Sequence, residues 1–246
     1  METYFNINYE FDRQTILQRI DGIVGQNGKE YVCVADGVIL NLVNRMPDYQ
    51  EVINGAVFSL CDSAYVPLYI RWLYGLHYSH YTGSDIFSDI TAMRKYRMMF
   101  LGSRQVVLDA LRTKLTAIDP RIASMTFIEL PFREVDDFDY AAIGAQVDAD
   151  NPDIIWVSLG APKQEIFMNR LKPHIRRGVM ISVGAAFKFH AGMGERRAPQ
   201  WMLDNRLEFV YRIFQSPRKQ LIRCSWIVRT LPGLLWQEWR RKREKK

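Results

Sequence analysis

Residues 154–165 read Ile-Ile-Trp-Val-Ser-Leu-Gly-Ala-Pro-Lys-Gln-Glu, and this stretch decides the fold. The first six residues are almost wholly apolar, which is typical of a strand whose two sheet faces are both covered by helices. A glycine and a proline follow, and Lys163–Leu171 then has a helical pattern. A buried strand, a short loop and a helix together form the repeating unit of a parallel α/β sheet.

The same alternation recurs on both sides of this stretch. Strand patterns occupy residues 31–35 (YVCVA), 56–60 (AVFSL), 97–101 (RMMFL), 125–130 (MTFIEL) and 179–183 (VMISV), and helical patterns lie between them, among them residues 39–43 and Tyr140–Asp150. The sequence therefore predicts a Rossmann-like, mostly parallel sheet with helices on both faces. From residue 199 onward only helical, Arg-rich sequence remains. We expect an α/β core over residues 1–198 and a basic helical appendage over residues 199–246.

Charge is concentrated in the appendage. The chain of 246 residues has a net charge of +6; residues 201–246 hold twelve Lys/Arg and four Asp/Glu, a net +8, so residues 1–200 carry −2. Four of the six tryptophans lie in the same segment. Cations interleaved with indole rings suit an anionic membrane surface. Two alternatives stay open, a solvated charged end and a nucleic-acid contact, and we predict a membrane rather than nucleic acid as the partner.

Composition and motifs exclude several classes of protein. The longest stretch without a charged residue, residues 72–84, is too short and too polar to span a bilayer, and the first residues do not have the pattern of a signal peptide. Cys33, Cys61 and Cys224 lie far apart, so we expect reduced thiols and no metal site. The chain contains neither a P-loop nor a Gly-x-Gly-x-x-Gly motif, which disfavours a nicotinamide dehydrogenase.

Polar residues and glycines follow five of the predicted strands. Because the carboxyl ends of parallel strands meet at one edge of the sheet, where helix N-termini offer free N–H groups, we expect a nucleotide or another phosphorylated ligand there. Asp62 fits a general base and also a helix N-cap, and Asp36 has the same two interpretations. Residues 160–165 fit a ligand-binding loop and, equally, a plain β–α loop with solvent-facing charges.

Motifs in a fixed order resemble a known family. Besides Asp62 after its strand, they are Gly83-Ser84-Asp85, Phe100-Leu101-Gly102-Ser103, Gly160-Ala161-Pro162-Lys163-Gln164-Glu165, Val183-Gly184-Ala185-Ala186-Phe187 and Arg197-Ala198-Pro199-Gln200-Trp201. The chain resembles the WecG/TagA/CpsF glycosyltransferases, glycosyltransferase family 26, over about residues 31–223. The resemblance implies an inverting, metal-independent hexosyltransferase that moves a sugar from a UDP-sugar to a polyprenyl-diphosphate-linked saccharide. Such bacterial enzymes work in cell-surface polysaccharide (exopolysaccharide) biosynthesis, peripherally on the cytoplasmic face of the membrane.

The resemblance also assigns roles to residues. Asp62 matches the proposed general base and Gln164 a donor-binding position. The other expected donor-binding residues are Asp36, Gly102, Ser103, Gly160, Lys163, Glu165, Gly184 and Lys188. In the appendage, Arg212, Lys219 and Arg223 are the candidates for stabilising the leaving diphosphate. No cofactor and no metal are expected, and a homo-oligomer stays an open alternative.

Three positions depart from the family pattern. Val34-Ala35-Asp36 stands where Thr-Pro-Asn is usual, Cys61-Asp62-Ser63 replaces Pro-Asp-Gly, and Lys188 replaces an acid. Lys188 fits a ligand for a donor phosphate, a ligand for the carboxylate of a uronic acid donor, or a solvent-facing lysine. These departures leave a second function class open, a catalytically silent nucleotide-sugar-binding scaffold at the membrane.

Overall fold

The computed structural model describes residues 1–193, 198–199, 201–202, 205, 207–215 and 217–244. For Glu208, Phe209, Arg212, Gln215, Lys219, Gln220 and Arg223 it describes the backbone alone. Within these residues, no helix has both the length and the apolar character needed to cross a bilayer.

The described residues form one eight-stranded sheet with the order β1-β2-β4-β3-β8-β7-β5-β6. All neighbours pair in parallel except the N-terminal hairpin of β1 and β2, which confirms the predicted α/β class. The strands are β1 (Glu2–Tyr4), β2 (Ile7–Glu10), β3 (Lys29–Ala35), β4 (Phe58–Cys61), β5 (Met98–Gly102), β6 (Thr126–Ile128), β7 (Ile154–Ser158) and β8 (Gly178–Ser182).

Helices connect the strands and continue to the C-terminal end. They are α1 (Arg13–Gly25), α2 (Gly37–Val43), α3 (Pro47–Asn54), α4 (Val66–Tyr74), α5 (Gly83–Ala92), α6 (Gln105–Thr116), α7 (Tyr140–Asp150), α8 (Lys163–Leu171), α9 (Ala186–His190), α10 (Glu208–Gln215) and α11 (Pro217–Glu244).

The sheet is buried on both faces, as its apolar strands predict. Alternate residues of β3 enter two separate cores: Tyr31, Cys33 and Ala35 pack with α2, α3, α4 and α8, whereas Val32 and Val34 pack with α1, α5, α6 and α9. Because side chains of a strand point alternately to opposite faces, a continuous apolar run supplies both cores at once.

The long C-terminal helix α11 packs against α2 and α4. Its Leu234 is buried in the first core, and its Glu238 is 2% exposed and accepts a hydrogen bond from the backbone N–H of Phe5 at 2.9 Å. The Nδ2 of Asn41 on α2 donates to the Oγ1 of Thr230 at 2.7 Å. The appendage is thus in contact with the core, and a domain boundary near residue 199 stays a prediction.

Candidate active site

A cleft of about 210 Å³ opens at the carboxyl ends of the central strands. Asp36 follows β3, Asp62 follows β4, Gly160 follows β7 and Gly184 follows β8, and all four line the cleft together with Gln164. This is the edge of the sheet at which α/β proteins of this topology bind ligands. Four of the five polar strand ends thus come together, and the fifth, after β5, does not line the cleft.

The two aspartates lie one step beyond paired strand residues. Ala35 and Cys61 are register partners, and the backbone N–H of Asp62 donates to the carbonyl of Ala35 at 3.0 Å. The carboxylate of Asp36 accepts from the N–H groups of Val38 and Ile39 at 2.9 and 3.0 Å, so it caps α2. Asp36 is thus the N-cap of α2 and also part of the cleft wall, so its N-cap interpretation is confirmed, and its role as a general base stays a prediction.

Gln164 joins the two glycine loops of the cleft. Its Oε1 accepts hydrogen bonds from the N–H of Gly160 at 3.0 Å and from the N–H of Gly184 at 3.2 Å. Gly184 has a φ of +50°, a left-handed conformation that favours glycine. The loops after β7 and β8 are therefore tied to each other through one side chain.

Glu165 lies behind this wall and does not line the cleft. It is fully buried; its Oε1 accepts from the Nε2 of Gln164 at 2.7 Å, and its Oε2 accepts from the hydroxyl of Tyr49 at 3.0 Å. Burial raises the pKa of the Glu165 carboxyl group to about 7, although both hydrogen bonds act to lower it. Sequence reasoning missed Tyr49, because nothing in the chain links two residues 116 positions apart.

The N-terminus of α5 forms the wall on another side of the cleft. Thr82, Gly83 and Ser84 line it, and the hydroxyl of Thr82 accepts from the N–H of Asp85 at 3.1 Å in a capping box. The Oγ of Ser84 is 3.1 Å from the Nε2 of His190. In the sequence, the order Thr-Gly-Ser-Asp is the capping signal that could have extended the predicted site to this helix.

Besides Glu165, four of the expected donor-binding residues lie outside the cleft lining, namely Gly102, Ser103, Lys163 and Lys188. Gly102, at the end of β5, packs so closely that a Cβ there would be 2.5 Å from the carbonyl oxygen of Ser158, to which the N–H of Ser103 donates at 3.1 Å. The ammonium of Lys163 bonds to the carbonyl of Arg133. Lys188 is exposed on α9. The backbones of Arg212, Lys219 and Arg223 lie in α10 and α11, but their side chains are outside the described part of the chain.

Among the described residues, no group of three or more His, Cys, Asp or Glu side chains is placed to hold a metal ion. Cys33, Cys61 and Cys224 are free thiols, and burial raises the pKa of Cys33 and of Cys61 above the ordinary range.

Comparison with known proteins gives one consistent result. The model of the glycosyl transferase WecG/TagA/CpsF family matches residues 4–246. An N-acetylglucosaminyldiphosphoundecaprenol N-acetyl-β-D-mannosaminyltransferase of Bacillus subtilis is 25% identical to this chain. The match covers 88% of this chain and 84% of the length of the relative. The proteins of the same name from Bacillus spizizenii and Staphylococcus aureus are 24% and 23% identical; these matches cover 79% and 84% of this chain, and 74% and 82% of the relatives.

Proposed function

Because the chain belongs to the WecG/TagA/CpsF family of glycosyltransferases, we propose that it transfers a hexose-type sugar from a UDP-sugar to a polyprenyl-diphosphate-linked saccharide. The acceptor class is supported by the names of the relatives, which act on a sugar attached to diphosphoundecaprenol. The observation that carries the proposal is the position of Asp62, at the end of a central strand and in the same cleft as the Gln164-bound glycine loops.

In the proposed reaction Asp62 is the general base. Its carboxylate takes the proton of the acceptor hydroxyl while that oxygen attacks the anomeric carbon of the donor sugar. The bond between the anomeric carbon and the diphosphate oxygen breaks on the opposite face, so the configuration inverts and UDP leaves with the bonding electrons. One displacement of this kind needs one base and no covalent intermediate.

The leaving diphosphate has to be stabilised as negative charge develops on it. The N-terminus of α5 lies at the cleft, where a helix offers N–H groups and the positive end of its dipole. We assign the remaining stabilisation to Arg212, Lys219 and Arg223 of the appendage, following the resemblance to the family, and propose that no metal ion takes part. The enzyme would act peripherally at the cytoplasmic face of the membrane, where a lipid-linked acceptor is within reach.

Release of UDP from UDP-sugars in the presence of a lipid-diphosphate saccharide tests this function. We expect Asp62→Asn to lower turnover by about 10²-fold or more, since a general base contributes that much, while UDP binding is retained. Asp48→Asn, at an exposed carboxylate in the first turn of α3, is the matched control. Turnover of Asp62→Asn equal to that of the control would contradict the assignment of the base, and loss of turnover in EDTA would contradict the metal-independent reaction.

A further inference from the structure

We propose that Glu165 and Tyr49 are positioning residues that act through Gln164 to hold the two glycine loops of the donor cleft; this inference rests on the function proposed above. Glu165 is fully buried and Tyr49 is 2% exposed, so neither side chain touches a ligand in the cleft. Their effect on the donor site has to pass through the amide of Gln164.

The hydrogen bonds determine the orientation of this amide. An ionised carboxylate only accepts, so the NH₂ end of Gln164 must face Glu165, and it donates to the Oε1 of Glu165 at 2.7 Å. The carbonyl end is thereby directed to the N–H groups of Gly160 and Gly184. With the amide reversed, its NH₂ group would face these two donors, and both glycine N–H groups would lose their acceptor.

Tyr49 fixes the carboxylate in turn. Its hydroxyl donates to the second oxygen, Oε2, at 3.0 Å, so both oxygens of Glu165 accept a hydrogen bond from a defined donor. Tyr49 belongs to α3, which packs against α8. The result is a continuous chain of hydrogen bonds from α3 through α8 to the two loops that line the cleft.

The ionisation of Glu165 controls whether this chain is complete. The titratable groups that act on its charge are Tyr49 of α3, and Cys33 and Asp36 from β3 and its end. Among the described residues, no lysine or arginine is one of the groups that shift its pKa. Burial raises the pKa of the carboxyl group to about 7. Protonation of Oε1 puts a hydrogen where the Nε2 of Gln164 donates and displaces that donor, whereas protonation of Oε2 only reverses the bond with the Tyr49 hydroxyl, which can also accept. The ionised carboxylate is the form that always accepts from Gln164, so the loops are held best above pH 7.

Binding of UDP, measured by calorimetry from pH 6 to pH 8, tests the proposal. For the wild type we expect the dissociation constant to rise about three- to tenfold toward pH 6, which corresponds to the loss of one hydrogen bond. Glu165→Gln keeps an oxygen for the Nε2 of Gln164 and has no such ionisation, so the part of the pH dependence that exceeds the titration of UDP itself should disappear. Tyr49→Phe removes a hydrogen bond that lowers the pKa of Glu165, so the midpoint should move to higher pH.

Glu51→Gln, at an exposed carboxylate on α3, is the matched control and should behave as the wild type. The phosphate of UDP titrates in the same range, but identically for all four proteins, so the comparison between variants removes its contribution. A Glu165→Gln variant that folds and keeps the wild-type pH dependence would overturn the proposal.

A second measurement needs no ligand. In the wild type the backbone amide resonances of Gly160 and Gly184 should shift with a midpoint near the pKa of Glu165, about 7, and that of Gly75, at the end of α4, should not. Neither glycine of the cleft should shift in this way in Glu165→Gln. If the wild type fails to bind UDP, the proposed donor is contradicted, whereas amides that do not titrate in the wild type contradict the positioning role itself.

Discussion

Glu165 makes two properties of the protein depend on pH, the geometry of the cleft and the stability of the fold. Burial raises the pKa of its carboxyl group from the ordinary value of 4.5 to about 7. A group that binds its proton more tightly in the folded chain contributes stability that is fully present below pH 4.5 and is lost as the pH rises through 7. The shift corresponds to about 3 kcal/mol. The ionised form that best holds Gln164 is therefore the form that destabilises the fold.

Glu165→Gln should remove this dependence. We expect the free energy of unfolding of the wild type to fall between pH 5 and pH 8 by up to about 3 kcal/mol more than that of the variant. Urea unfolding at the two pH values measures the difference, and Glu51→Gln should follow the wild type. Equal slopes for wild type and Glu165→Gln would show that the carboxyl group titrates alike in the folded and unfolded chain.

For single residues, the sequence predicted which of them follow a strand better than it predicted which residues they contact. Asp62 and Asp36 could be placed because each directly follows a strand pattern, and the N-cap interpretation of Asp36 is confirmed. Glu165 was expected to bind the donor, yet the helical period alone does not say which side of α8 faces the sheet, and the residue is buried. Its partner Tyr49 is a product of tertiary packing between α3 and α8.

Among the elements, α11 is held to the core by a buried carboxylate. Glu238 accepts from the N–H of Phe5 at 2.9 Å and from the hydroxyl of Tyr74 at 2.8 Å, and its Oε2 is 3.3 Å from the guanidinium of Arg241. It thus joins the C-terminal helix to both the N-terminal hairpin and α4. A buried charge is retained at such a place only when its hydrogen bonds are satisfied.

Glu238→Ala should destabilise the protein by about 2–4 kcal/mol, because it leaves the buried N–H of Phe5 and the hydroxyl of Tyr74 without their acceptor. Glu238→Gln keeps one oxygen and should cost less. Glu244→Ala is the control: this exposed residue pairs with Arg240 at 3.7 Å, which is worth at most about 0.5 kcal/mol. Urea unfolding checks the order of the three variants. A loss for Glu238→Ala no larger than that for Glu244→Ala would mean that α11 is not anchored there.

The sequence predicted elements best where burial is continuous. The six predicted strands all occur, with ends that differ by at most two residues, because an apolar run in a parallel sheet has an unmistakable composition. The hairpin of β1 and β2 was not predicted, although the alternation of buried Ile7 and Tyr9 with half-buried Asn8 and Glu10 is a strand signal of period two. It lies at the edge of the sheet, where one-sided burial weakens that signal.

Considered as a whole, the molecule has an acidic core and a basic end. Residues 1–200 carry a net charge of −2 and residues 201–246 a net charge of +8. In α11, Leu234 is buried, whereas Trp236, two positions on and therefore about 200° around the helix, is 56% exposed. The guanidinium of Arg240 lies 5.1 Å from the ring of Trp236, and that of Arg243 lies 3.7 Å from the ring of Trp239. The outer side of α11 thus carries indole rings and cations together.

We expect this outer side to bind anionic lipid. Replacing Trp236 by Ser and Arg240 by Gln together should weaken sedimentation with phosphatidylglycerol vesicles about fivefold or more, since each cation near such a surface contributes about 1 kcal/mol. The matched control replaces Trp72 by Ser and Arg71 by Gln, an exposed indole and cation on α4. Both double variants should unfold as the wild type does, because the four side chains are exposed. Binding by the wild type should also weaken at high salt, since screening shortens the reach of the cations. Equal losses in the two double variants would show that the lipid contact is not specific to α11. No loss in either variant would show that the basic end is a solvated helix.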